Sequence, residues 1–217
     1  MVAVPTPTFK LERELIAQGF SLIAGVDEAG CGCWAGPVYA AAVILPLDSR
    51  IGLIRDSKRL SLDQRTRVIV DIKEKATAWA VGTASHEEVD RLNIRQAAFL
   101  AMRRAIESLS IQPQTILVDG FMIPNIAIPC RRVIGGDRLV KSIAAASIIA
   151  KVERDIELER LDGIYPGYGF ADHKGYGTKQ HLAALKRLGA TPIHRMSYKP
   201  LQPYSPTIAK PGTGTPP

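Results

Sequence analysis

Asp27 and Glu28 stand side by side at the end of an apolar segment, residues 22–26, and Gly30-Cys31-Gly32 follows at once. Two adjacent carboxylates withdrawn from water repel each other, and each loses its hydration. A divalent cation removes both costs. The two glycines bracket a single residue, which lets the backbone of the turn approach a ligand closely. An acid pair beside bare backbone points to phosphate chemistry. Asp119 ends the apolar run Ile116-Leu117-Val118, and Asp137 follows Gly135-Gly136. Strand termini are where a sheet presents ligands. Four carboxylates without a nearby His or Cys pair favour Mg²⁺ or Mn²⁺ over Zn²⁺. Two such ions about 3.5–4 Å apart activate a water and stabilise the leaving oxygen of a phosphodiester. Neighbours on a regular strand point to opposite faces. Asp27 and Glu28 therefore share a site only if the strand ends or bends there.

The elements that must position these acids follow from pattern. Residues 9–18 form an amphipathic helix. Residues 21–27 and 38–45 read as strands joined by the glycine turn. The second is continuous in Val, Ala, Ile and Leu, as in a strand buried on both faces. Ser61-Leu62-Asp63-Gln64 opens a helix to about residue 75, and Ser85-His86-Glu87-Glu88 opens another, both as capping boxes. Residues 77–83, 116–120 and 132–134 supply further strands; residues 93–109, 141–161 and 178–188 supply further helices. The order predicts an α/β fold with a mixed, partly antiparallel central sheet flanked by helices. The helices after Asp137 form a cap. Residues 1–198 make one domain, with the cap from about residue 140. Residues 199–217, rich in Pro, Gly and Thr, read as a disordered tail.

The chain has 217 residues, is 46% apolar and carries a net charge of +7. Residues 131–199 hold 13 basic and 7 acidic residues, a net of +6, which leaves +1 for the rest. A nucleic-acid backbone is the commonest partner for such an asymmetry; a plain solubility charge accounts for it equally well. Three cysteines argue against a disulfide framework, and too few thiols and imidazoles cluster for a four-ligand zinc site. No basic-then-apolar leader opens the sequence. The longest apolar run, residues 34–47, contains Gly36, Pro37 and Pro46 and is too short to span a bilayer. The expectation is a reduced cytoplasmic monomer with no membrane partner.

The motifs, taken in order, resemble bacterial ribonuclease HII over residues 20–198. They are Gly25-Val26-Asp27-Glu28-x-Gly30-x-Gly32, Gly36-Pro37-Val38, Asp56-Ser57-Lys58-x-Leu60, Val118-Asp119-Gly120 and Gly136-Asp137. Then come Ile143-Ala144-Ala145-Ala146-Ser147-Ile148-Ile149-Ala150-Lys151-Val152-x-Arg154-Asp155 and His173-Lys174-Gly175-Tyr176-Gly177-Thr178. The resemblance implies an RNase H-like fold with a C-terminal helical extension. It implies metal-dependent cleavage on the 5′ side of a ribonucleotide in duplex DNA, and of the RNA strand in RNA–DNA hybrids, leaving 3′-hydroxyl and 5′-phosphate ends. Asp27, Glu28, Asp119 and Asp137 would be the catalytic acids and hold two Mn²⁺ or Mg²⁺ ions. Gly30, Cys31 and Gly32 would read the 2′-hydroxyl, the group that separates RNA from DNA. Tyr176 resembles a tyrosine that packs on the sugar; an ordinary loop tyrosine is the alternative. Lys58, Lys151 and Lys174 are candidate phosphate contacts, each with a solvated surface position as its alternative. His173 is placed to line the groove; His86, His181 and His194 read as solvated or structural.

The sequence departs from that family at Cys33, where a small residue or proline is usual, and with greater consequence at Cys31. The turn there is normally Gly-Arg-Gly, and Cys31 removes a guanidinium suited to bidentate phosphate binding. A hydrogen bond to a charged group is worth about 1.5–3 kcal/mol, so efficiency falls about tenfold or more. Readout by backbone needs only the glycines and survives. A nucleic-acid-binding homologue with impaired catalysis stays open as the alternative, and oxidation of Cys31 beside the metals is an expected hazard.

Overall fold

The central strand β1 (Ile23–Ala29) carries the acid pair in the computed structural model, which describes residues 6–52, 54 and 62–204. On one side β2 (Val38–Ile44) and β3 (Ala78–Ala84) add antiparallel; on the other β4 (Thr115–Asp119) and β5 (Cys130–Val133) add parallel. The order is β3-β2-β1-β4-β5. Parallel pairing of β1 with β4 brings the carboxyl ends of both strands, and so Asp27 and Asp119, to the same edge of the sheet.

Helices cover both faces. Val38, Ala40, Ala42 and Ile44 of β2 enter one core with Ala97, Ala101 and Met102 of α4 (Ile94–Glu107). Ala41 and Val43 enter a second core with Ile72 of α2 (Leu62–Lys75) and Ile148 of α5 (Lys141–Ile164). Burial on both sides is why β2 reads as one unbroken apolar run. Helix α5 lies against β1 at the distance of bare backbone. A Cβ at Gly25 would sit 2.2 Å from the carbonyl carbon of Ser142. Every residue from 142 to 150 is buried. That contact fixes the helix that later delivers Ser147, Lys151 and Arg154.

The first turn of α5 has no side-chain cap of its own. Glu12 of α1 (Lys10–Ala17) supplies one: its Oε1 accepts from the backbone N and the Oγ of Ser142, at 3.0 and 2.9 Å. A carboxylate at a helix N-terminus meets unpaired N–H groups and the positive end of the dipole. Helix α3 (His86–Leu92) starts with the expected capping box, Ser85 and Glu88 each accepting from the other's backbone N–H. Arg104 of α4 pairs with both oxygens of Glu88, at 2.8 Å each, and its guanidinium draws that carboxyl down to about 2. The cap consists of α6 (Phe170–His173) and α7 (Lys179–Leu188) packed with Leu158 and Leu161 of α5 around Tyr168 and Phe170.

Two expectations need correction. Strand β1 does not end at Asp27: its ladder with β2 continues to Ala29, opposite Tyr39. The domain also does not stop at residue 198. Residues Lys199–Tyr204 form a 3₁₀ helix in which Leu201 is fully buried. One anchored leucine, with its N–H bonded to the carbonyl of Tyr198 at 2.8 Å, overrides the Pro-rich composition there. The capping serine expected at position 61 and the tail beyond residue 204 lie outside the described residues. Among the described residues no helix is long and apolar enough to cross a membrane.

Candidate active site

Asp27, Glu28, Asp119 and Asp137 line one cavity of about 260 Å³ at the carboxyl edge of β1 and β4. The turn Gly30-Cys31-Gly32 forms part of its wall, with Ser147, Lys151 and Tyr176. Asp27 is buried and turned toward α5, where Ser147 hydrogen-bonds to its carboxylate; its Oδ1 also accepts from the N–H of Glu28 at 2.8 Å. Glu28 takes the other face of the strand. Its Oε1 accepts from the Cys31 thiol at 3.6 Å. Asp119 closes β4, and its Oδ1 accepts from the N–H of Gly136 at 2.7 Å. Gly136 opens the 3₁₀ turn Gly136–Arg138 that holds Asp137. The bond between Asp119 and Gly136 therefore ties the third acid to the fourth. Asp27 and Glu28 reach one cavity from opposite faces of a continuing strand, without the strand end that the sequence suggested.

Burial pushes the Asp27 carboxyl well above the usual carboxylate range, and the neighbouring charges of Glu28 and then Asp119 push it further. Among the described residues no three Asp, Glu, His or Cys side chains stand ready to share one ion. The donor set suits a hard divalent ion: oxygen only, anionic, and mutually repelling until a positive charge arrives.

Of two arginines that the sequence reading left aside, Arg195 holds the glycine turn by hydrogen bonds and Arg154 packs behind it and holds the segments beside it. Arg195 is fully buried; its Nη1 donates to the carbonyls of Gly30 (2.8 Å) and Cys31 (3.3 Å), and its Nε to that of Gly36 (3.0 Å). Arg154, also fully buried, donates from Nε to Pro37 (3.0 Å), from Nη1 to Lys174 (2.9 Å) and from Nη2 to Ala35 (3.2 Å). Gly30 adopts φ +93°, and a Cβ there would lie 2.0 Å from the Nε of Arg154. The glycine is thus required by the arginine behind it as well as by any ligand in front. Arg154 had a sequence signal: Ala150, Leu158 and Leu161, at i−4, i+4 and i+7, mark its stripe as the buried one. Arg195 had none. The basic surface is correspondingly thinner than the charge count implies. Two of its arginines are internal, and Lys174 and Arg160 are paired with Glu159 and Glu157.

His173 is buried and does not line the cavity. It donates from Nε2 to the carbonyl of Tyr168 (2.9 Å) and accepts at Nδ1 from the N–H of Gly175 (3.2 Å). Its ring stacks on His181 at 4.4 Å. His181 gives its Nδ1 proton to the carbonyl of Tyr176 (3.0 Å), so its Nε2 accepts from the Nε2–H of His194 (3.0 Å). His194 in turn accepts at Nδ1 from the N–H of Thr191 (2.8 Å). This chain of single donors requires both rings neutral and holds the backbone of Tyr176 in place. Burial holds His181 and His194 down at about 4. The unfolded chain therefore takes up protons near pH 6.5 that the folded chain refuses. Stability is full above about pH 6.5 and is expected to fall by about 3 kcal/mol per ring as pH drops to 4, less where the two titrate together. Urea unfolding at pH 7 and pH 4.5, carried out on Asp27→Asn so that the raised Asp27 carboxyl does not offset the change, checks this; equal midpoints would contradict it.

The remaining candidates divide. Lys151 lines the cavity and is paired with Asp155 at 2.6 Å, its Nζ 5.8 Å from the ring centre of Tyr176. Tyr176 is 41% exposed, and burial of its hydroxyl end pushes the phenol up to about 12, so it stays neutral. Lys174 lies outside the cavity, engaged by Glu159. Lys58 lies outside the described residues. The three cysteines are free, and burial followed by the charge of Glu28 raises the Cys31 thiol far above its ordinary value. A thiol held protonated is a poor nucleophile. Cleavage rates with and without reductant test the oxidation hazard expected at Cys31; equal rates would dismiss it.

With that geometry in place, the likeness to known proteins is specific. The ribonuclease HII family profile matches residues 24–201. A ribonuclease HII of Desulfitobacterium hafniense is 50% identical over 191 residues, covering 88% of this chain and 74% of its own. The solved ribonuclease H2 of Pyrococcus horikoshii superposes with a TM-score of 0.72 at 24% identity, over 85% of this chain and 97% of that one. A Bst-RNase HIII crystallised in complex with Mn²⁺ shares the fold, with a TM-score of 0.63 at 18% identity over 83% of this chain and 68% of its own. The chain belongs to the ribonuclease HII family and is a ribonuclease H-type enzyme.

Proposed function

We propose that the chain is a divalent-metal-dependent endoribonuclease that cuts on the 5′ side of a ribonucleotide in duplex DNA and the RNA strand of RNA–DNA hybrids. The observation that carries this is the convergence of four carboxylates, a clamped glycine turn and Tyr176 on a single cavity. Asp27, Glu28, Asp119 and Asp137 are the residues to hold Mg²⁺ or Mn²⁺; the Mn²⁺ bound to the related RNase HIII supports that choice. Ions bound there supply a lowered water pKa and charge neutralisation at the leaving oxygen.

The chain's own groups set up the rest. Ser147 and the N–H of Glu28 orient Asp27. Asp119 positions the turn that bears Asp137 through Gly136. Arg195 aims the Gly30–Cys31 carbonyls and stiffens the backbone that meets the 2′-hydroxyl. Tyr176 offers a neutral ring to the sugar, and Lys151 a positive charge to the phosphate. Cleavage of a duplex carrying one ribonucleotide, with product ends mapped to the nucleotide, tests this reading. A cut 5′ to the ribonucleotide that leaves a polymerase-extendable 3′-hydroxyl is expected. A cut on its 3′ side or a 3′-phosphate would overturn it.

A second reading, duplex binding with weakened cleavage, rests on Cys31. Its thiol donates to Glu28 and supplies no charge to the phosphate, which leaves Lys151 as the cation lining that cavity among the described residues. Cys31→Arg is expected to raise kcat/KM about tenfold while leaving the preference for ribonucleotides unchanged. Unchanged rates would remove the phosphate contact from the account.

A further inference from the structure

Beside the acidic cavity lies a second cleft of about 380 Å³, within the range of pockets that hold small ligands. The two share a wall: Glu28, Cys31 and Asp119 line both. The floor of the second is apolar, made by Ile94, Phe99 and Met102 of α4. Its mouth carries Arg95 and Phe121, with the guanidinium 4.8 Å from the ring centre. Phe121 is 54% exposed and Met122 beside it 56%, an unusual pair of large apolar side chains to leave in water. The backbone at Phe121 is held beside the acidic strand end, because its N–H donates to the carbonyl of Asp119 at 2.8 Å. The backbone N–H of Arg95 donates to Oδ1 of Asn93 at 3.0 Å, which places the residue in the first turn of α4 at the edge of the cleft.

We propose that this cleft is a subsite for the nucleoside part of the nucleotide that flanks the scissile phosphate on the strand being cut. The proposal rests on the nuclease reading above and extends it. The cleft shares a wall with the carboxylates, so a strand whose phosphate lies at the acids can extend its neighbouring nucleoside into it. A nucleotide chain has that form, with alternating apolar sugar and base faces and anionic links. The apolar floor and the Phe121 ring take the sugar and base, while Arg95 at the rim meets the next phosphate. An apolar peptide would leave Arg95 without an anion and would place nothing in the acidic cavity.

The test is affinity for a ribonucleotide-containing duplex in chelator, with 2-aminopurine placed on each side of the ribonucleotide, followed by kcat and KM with Mn²⁺. Stacking of a base on an aromatic ring is worth about 1–3 kcal/mol. Phe121→Ala should therefore weaken binding about 5- to 150-fold, carried by KM, and abolish the change in 2-aminopurine fluorescence at one flanking position. Phe121→Trp should retain both signals. Arg95→Ala should make the slope of log affinity against log salt shallower by about 0.9, as for one phosphate contact. Phe121 is exposed, so the melting midpoint of its variants should match that of the native chain. Native-like binding by Phe121→Ala, or equal loss in Phe121→Ala and Phe121→Trp, would overturn the subsite while leaving the function intact. Binding losses as expected, in a chain that makes no cut beside the ribonucleotide, would keep the subsite and overturn the function. A native chain that binds no duplex would overturn both.

Discussion

Asp27→Asn is expected to abolish cleavage and at the same time stabilise the fold. The buried Asp27 carboxylate sits between Glu28 and Asp119, and burial and those charges both oppose its ionised form. Asparagine keeps the shape. Its Oδ1 still accepts from Ser147 and from the N–H of Glu28, and its amide faces a neighbouring carboxylate instead of repelling it. Activity should fall by about 10²–10³ or more, the scale seen when one preorganised charge-stabilising group is removed. The sign of the stability change follows from linkage. A carboxyl whose folded value is raised binds more protons in the folded state, so ionising it costs stability as pH climbs above about 3.9. The gain from Asp27→Asn should therefore be full at neutral pH and vanish near pH 4. Melting midpoints at pH 7 and pH 4 measure it. A variant less stable than the native chain at pH 7 would mean that Asp27 is held by favourable contacts stronger than its repulsion.

Arg195→Met is expected to cost both stability and activity, for a different reason. Methionine fills much of the buried stem but takes the donors away from the carbonyls of Gly30, Cys31 and Gly36. The Gly30 carbonyl keeps the N–H of Cys33 and the Cys31 carbonyl keeps the hydroxyl of Tyr198, so the Gly36 carbonyl is the one stripped of its donor; leaving a buried acceptor unpaired costs about 1–3 kcal/mol, and a loss on that scale is expected. The turn then loses the support that fixes its direction toward the cavity. A misplacement of about 1 Å at a reacting site costs about 10²-fold, and kcat/KM should drop on that scale even well below the variant's melting midpoint. Arg195→Lys keeps the charge but not the fork, and should recover only part of either loss. Full activity in Arg195→Met at low temperature would show that the turn holds its shape without the arginine.

These two variants mark what a sequence can and cannot show. The carboxylates were legible because each has a local signature: Asp27, Glu28 and Asp119 end apolar runs that lead into glycines, and Asp137 follows a glycine pair. The α/β architecture was legible for a related reason, since β2 announces burial on both faces and the Ser85 box announces a helix start. The supports behind the site were not. Arg195 reaches Gly30 across 165 positions and Glu12 reaches Ser142 across 130; no local pattern encodes contacts so distant. The histidines misled through adjacency. His173 stands beside Lys174 and Tyr176 in sequence, yet its ring turns inward to stack on His181. The strand-end rule misled at Asp27 and Glu28, because the cavity lies at an edge that both faces of β1 can reach. The apolar cleft with Phe121 had no sequence signal beyond the residue following Asp119-Gly120.

The most direct measurement is cleavage of two DNA duplexes of one sequence, all-DNA and with a single embedded ribonucleotide, each with Mg²⁺, Mn²⁺ or chelator. The account predicts metal-dependent cutting 5′ to the ribonucleotide and an intact all-DNA duplex. Equal cutting of both duplexes, or cutting that persists in chelator, would contradict it.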